Sequence, residues 1–77
     1  MGRKINVKLN EVMRSRNLTQ LQLSEMTGVR QASISEMSRN IRDKVNLRHL
    51  ERIADALNID DVSELIEITY IQHYNEE

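Results

Sequence analysis

The sequence predicts a small all-α bundle, and three observations carry that expectation. Its 77 residues contain no Pro, Phe, Trp or Cys and only two Gly. A core must therefore come from the many Leu, Ile and Met side chains, with no disulfide or thiolate-bound metal to support it. Apolar residues recur at helical spacing through most of the chain. Finally, the run from Leu18 to Met37, LTQLQLSEMTGVRQASISEM, has the order of a capped helix, a Gly-containing turn and a second short helix. One domain is expected over residues 1–77, with its core in 7–66 and a tail in 67–77.

The elements follow in order. Lys4 to Leu9 alternates, with Ile5, Val7 and Leu9 on one side. Helical spacing then begins at Leu9, Val12 and Met13, with Asn6 available as a cap and an end near Arg16 and Asn17. Thr19 is a good N-cap for the second helix, Gln22 completes a capping box, and Leu18 can staple onto Leu23. Leu21, Leu23 and Met26 supply apolar contacts, and Gly28 can take the left-handed conformation that ends the helix. The third helix runs from Gln31 to about Ser38. Ala32 or Ser33, Ile34 and Met37 turn inward, while Gln31, Ser35, Glu36 and Arg39 turn outward. Arg39 to Val45 reads as a loop. Asn46 caps a fourth helix whose stripe is Leu47, Leu50, Ile53, Ala54 and Leu57, and Asn58 suits its left-handed stop. Asp60 or Asp61 opens a fifth helix with Val62, Leu65 and Ile66 inward, and Asp61 with Glu64 has capping-box spacing.

After Ile66 the character changes. Ile68, Thr69, Tyr70 and Ile71 are β-branched or aromatic and alternate. Three outcomes are open: continuation of the fifth helix, a short strand pairing with Lys4–Asn6, or an exposed segment that forms a dimer contact. Strand-like alternation at both ends favours the terminal strand pair.

Charge is unevenly distributed. The formal net charge is −1, but residues 1–44 hold nine cations against four carboxylates, or +5, and residues 45–77 hold two against eight, or −6. The chain is a charge dipole, basic where the helix, turn, helix lies, so the local field matters more than the net value. No apolar run approaches the ~20 residues of a membrane span, and no signal-peptide pattern is present. These features and the absence of Cys fit the cytoplasm. Catalysis has little support. His49 and His73 have no metal-ligand spacing, and neither a Gly-rich phosphate loop nor a nucleophile–base set is visible. No metal and no cofactor are expected.

The segment around the turn resembles the Cro/repressor type of helix-turn-helix domain, the XRE family. The resemblance rests on Leu18-Thr19-Gln20, the Gly28-Val29 turn, Ile34-Ser35, and the later Leu50, Ile53, Ala54, Ala56 and Leu57. It covers about Val7 to Ile66 and implies a five-helix lambda-repressor-like DNA-binding bundle, with the helix-turn-helix at about 19–38. It further implies sequence-specific binding of operator DNA, a role in transcription, most often repression, and a homodimer on two half-sites. The chain departs from the family pattern in three places. Arg30 replaces the usual Ser or Thr cap of the recognition helix. Met13 and Ser38 stand where many relatives carry a buried Arg–Glu pair. Arg39-Asn40 replaces the usual Gly after that helix.

Candidate contacts follow from where the recognition helix begins. Its first residues lie nearest the base edges, so Gln31 is the leading base reader, able to bond adenine N6 and N7. Ala32 offers a methyl to thymine. Ser35 can meet a base or a phosphate, or simply be solvated. Glu36 can accept from cytosine N4 or pair with Arg39. The resemblance gives Gln20 a phosphate-contacting, bracing role, and Arg30 gains reach to phosphate or guanine. Arg39, Asn40, Arg42 and Lys44 form a loop suited to the phosphate backbone. The rival expectation is an antitoxin-like or other protein-interaction module that binds a partner protein through the acidic C-terminal half.

Overall fold

The computed structural model describes residues 2–71. Strand β1 (Gly2–Val7) leads into helices α1 (Leu9–Ser15), α2 (Gln20–Thr27), α3 (Gln31–Arg39) and α4 (Leu47–Leu57). A 3-10 turn at Val62–Glu64 then leads into strand β2 (Ile66–Ile71). The strands form a two-stranded antiparallel sheet, with Ile5 opposite Ile68 and Val7 opposite Ile66. The terminal strand pair therefore forms, over a longer stretch than Lys4–Asn6.

Two expectations are corrected. The five-helix bundle is a four-helix bundle with a sheet, because the fifth helix stops after one turn. Asp61 does open it, its carboxylate accepting from Ser63 N at 2.9 Å and Ser63 Oγ at 2.8 Å. The β-branched run that follows is instead paired with β1, which satisfies its backbone in a ladder where such side chains fit better than in a helix. Val62 is exposed, and Glu64, expected in a capping box, lies 3.9 Å from Arg16. The second correction concerns Asn6, which does not cap α1. Lys8 holds that position without a side-chain bond, and Asn6 donates across the sheet to Thr69 Oγ1 at 2.9 Å.

The other termini follow the sequence closely. Thr19 and Gln22 form the reciprocal capping box, with bonds of 3.0 and 2.9 Å. Asn46 accepts from the amides of Arg48 and His49. A left-handed residue follows each of the four helices: Asn17, Gly28, Asn40 and Asn58. Asn is the residue besides Gly that most readily takes this conformation, so these sites end helices while keeping a polar side chain.

Leu9, Leu23, Val29, Ile34 and Ile53 are fully buried, one from each helix and one from the turn. Each such side chain contributes about 1.5–3 kcal/mol relative to exposure. Val7, Leu57, Ile59 and Leu65 close the core, whereas Leu21, Met26 and, in the first turn of α4, Leu47 are exposed rather than packed. Met13 and Ser38 are both buried, and Ser38 Oγ donates to the Ile34 carbonyl at 2.7 Å, so nothing there requires a charge partner.

Asn40 joins sheet to bundle. Its Oδ1 accepts from Val7 N at 2.7 Å and its Nδ2 donates to Val7 O at 3.1 Å. The carboxamide thus occupies both backbone groups of one strand residue, as a neighbouring strand would. Asn40→Gly keeps the backbone conformation and loses both bonds, and should cost about 1–2 kcal/mol in urea unfolding. Asn40→Ala adds left-handed strain and should cost about 1 kcal/mol more.

The Ser63 bonds hold the Asp61 carboxyl below the usual aspartate range, with Lys8 adding a smaller electrostatic effect. A carboxyl depressed in the folded state stabilises fully above its unfolded pKa and loses that support as pH falls through the folded value. Melting curves of the wild type and Asp61→Asn should therefore differ at neutral pH and converge below about pH 4. A gap that persists in acid would show that the carboxylate charge has no part in this cap.

Candidate nucleic-acid interface

The angle between α2 and α3 is fixed by a short turn, Gly28–Arg30, held by hydrogen bonds at three points. Gly28 has φ +76 and donates its amide to Ser24 O at 2.8 Å. Ser24 Oγ donates to Val29 O at 2.6 Å. Thr27 Oγ1 donates to Leu23 O at 2.8 Å and accepts from Val29 N at 3.1 Å. Val29 itself is buried, so the turn is anchored by packing as well. Ser24 and Thr27 escaped the sequence reading because a hydroxyl near a helix end is too common to stand out.

This turn presents the start of α3. Arg30 sits at the N-cap without a side-chain cap bond, extended at φ −60 and ψ 141. Arg30, Gln31 and Ala32 are exposed, whereas Ser33, Ser35 and Glu36 are half-buried. The buried stripe is Ile34, Met37 and Ser38, so of the alternatives Ala32 and Ser33 only the latter leans inward. Gln20, half-buried, opens α2.

The residues after α3 fall into two groups. Glu36 pairs with Arg42 at 3.1 Å, across the helix end and into the loop, and not with Arg39. That hydrogen bond and the charge of Glu36 raise the Arg42 pKa still further, so the guanidinium stays cationic. Glu36, Arg42, Lys44 and His49 line one recess between α3 and the start of α4. Arg39 instead lines a recess with Lys4 and Lys8, and Asn40 borders both recesses. Those two lysines counted only toward charge in the sequence, since the strand pair that brings them beside α3 joins residues far apart in the chain. Asn40, expected at phosphate, has its amide on Val7.

The surface so assembled offers an exposed amide at a helix start, flanked by guanidinium and ammonium groups. It can bond polar base edges and attract a polyanion. Among the described residues no group of three or more His, Cys, Asp or Glu could hold a metal, and no helix is long and apolar enough to cross a membrane. His73 lies outside the described residues.

A family model for the Cro/C1-type HTH DNA-binding domain matches residues 8–69, from the start of α1 into β2. No curated protein and no solved structure matches the chain. The match spans both helices of the capped pair, the turn between them and the core beneath. This chain belongs to the Cro/C1-type helix-turn-helix DNA-binding family.

Proposed function

We propose that this chain is a sequence-specific regulator of transcription, acting in the cytoplasm as a repressor, that reads the major groove with α3. The observation that carries this reading is the exposed start of α3, Arg30-Gln31-Ala32, projected from a turn fixed by Ser24, Thr27 and Val29 in a chain of a DNA-binding family. Gln31 reads a base, with Ala32, Ser35 and Glu36 near it. Gln20 and Arg30 position the helix on phosphate. Arg39, Arg42 and Lys44 contribute sequence-independent affinity. Asn40 acts on the same surface indirectly, by holding the end of α3 against β1. One short helix spans only a few base pairs, so the operator has two half-sites about 10–10.5 bp apart and the bound species is a homodimer.

Selection of duplexes from a random library at near-physiological salt tests this directly. A two-fold symmetric site is the expected product, and failure to recover any site with a folded protein would remove the reading. Against the selected site, Gln31→Ala should cost roughly 1–3 kcal/mol and relax preference at one position per half-site. An unchanged preference would strike Gln31 from the base readers. Arg42→Ala or Lys44→Ala should weaken all sequences alike and flatten the dependence of log affinity on log salt by about one. A loss confined to the selected site would contradict a phosphate role.

A further inference from the structure

The apolar stripe of α4 begins in the open. Leu47 is 64% exposed, although Leu50 and Ala54, further along the same face, are half-buried. Opposite them Val62 on the 3-10 turn is 62% exposed. Between these walls lies a trough of about 270 Å³, lined beneath by the buried Ile59 and Leu65. It exists because the chain makes only one turn after Asp61 and then leaves as β2. Single exposed aliphatic residues are ordinary, but here they meet as the walls of one groove.

The rim of the trough is acidic, formed by Glu51, Asp60 and Asp61. Glu51 is paired with Arg48. Asp60 and Asp61 form no ion pair among the described residues, and the Ser63 bonds keep Asp61 ionised. The nearby Lys8 acts on Asp61 only weakly, its Nζ donating to the Ser63 carbonyl at 3.2 Å. Arg52 reaches the turn between α2 and α3, where its Nη1 lies 3.9 Å from the place a Cβ on Gly28 would take. One end of the trough is therefore negative and open to a cation from outside.

We propose that this trough docks an amphipathic segment of a partner protein, its apolar side chains seated between Leu47 and Val62 and a Lys or Arg set against Asp60 and Asp61. Charge complementarity selects that occupant. A second copy meeting two-fold at this face would bring Asp60 and Asp61 of both chains together, within halves that each carry −6. A small molecule fits poorly, since sites for drug-sized ligands run to roughly 300–1,000 Å³ and enclose most of the ligand. An open groove of this size instead suits the anchoring side chains of a longer segment, as when an amphipathic helix lays its apolar face on another protein. The start of α3 contributes no residue to the trough, so the proposal stands apart from the DNA-binding reading.

Selection of random displayed peptides, about 16 residues long, against the full chain tests the site without DNA. The recovered peptides should share apolar residues at helical spacing with Lys or Arg at one end, and the most enriched, synthesised, is the probe for titration. Leu47→Ser and Val62→Ser should each weaken its binding about tenfold. Asp60→Asn should weaken it about threefold, by a margin that shrinks as salt is raised. All three positions are exposed, so each variant should melt within a few degrees of the wild type. No enriched peptide, an enriched set without cations, or a peptide indifferent to both Leu47→Ser and Val62→Ser would each overturn the proposal. So would sedimentation equilibrium in which the wild type self-associates and Leu47→Ser does not, since the occupant would then be a second copy. Peptide binding of the expected kind, from a chain that selects no duplex, would uphold the docking site and remove the DNA reading instead.

Discussion

A strand at the edge of a two-stranded sheet must find partners for the backbone groups that point away from its neighbour, and at Val7 both are met by one side chain. Asn40 can do this because it stands at the left-handed residue that ends α3, with its carboxamide turned toward β1. The bonds therefore need two conditions at once: α3 must stop at Arg39, and β1 must run through Val7. A Gly at position 40 would satisfy the first and forfeit the second. This explains in physical terms why the chain departs from the Gly its family usually carries there. Val7 is also where the ribbon enters the core, opposite Ile66 and one residue before the bond from Lys8 N to Leu65 O. Sheet, recognition helix and bundle thus meet at one residue.

Local chemistry made much of this fold legible. The Thr19–Gln22 box, the Asn46 cap, the Gly28 and Asn58 stops and the α4 stripe from Leu50 to Leu57 depend on residues within a turn of one another, so sequence spacing determines them, whereas Leu47 at the head of that stripe stands exposed. The fifth helix stops short for the opposite reason. Asp61 and its neighbours do begin a helical turn, but continuation is decided by competition with a strand some sixty residues earlier in the chain. Alternation at both ends hinted at that pairing, yet its extent depends on register, which Val7 and Ile66 set by entering the core together. Leu21 and Met26 failed as core residues because α2 turns a narrow face inward, centred on Leu23.

The site was legible to the same degree and for the same cause. Exposure of Arg30, Gln31 and Ala32 follows from helical periodicity once Ile34 and Met37 are inward. The partner of Glu36 does not, because Arg42 lies beyond the end of the helix and reaches back only by the path the loop takes. Asn40 belonged to a basic loop by composition and to β1 by geometry. The stapling hydroxyls of Ser24 and Thr27 likewise became visible only when the turn they close was built.

A carboxylate on a helix that must approach phosphates opposes binding unless a cation offsets it. Arg42 does so for Glu36, and the exposed geometry of that pair makes it weak enough to exchange partners rather than a fixed structural element. Arg30, Arg39 and Lys44 form no ion pair among the described residues, and on the proposed reading they are the cations that attract the polyanion. With few such charges and an acidic far half, sequence-independent attraction alone is modest. On the proposed reading, discrimination then comes from the side chains at the start of α3 and from the spacing of two half-sites. Modest attraction also limits the time spent on irrelevant duplex, so the same charge balance that lowers total affinity raises the share of it that depends on sequence.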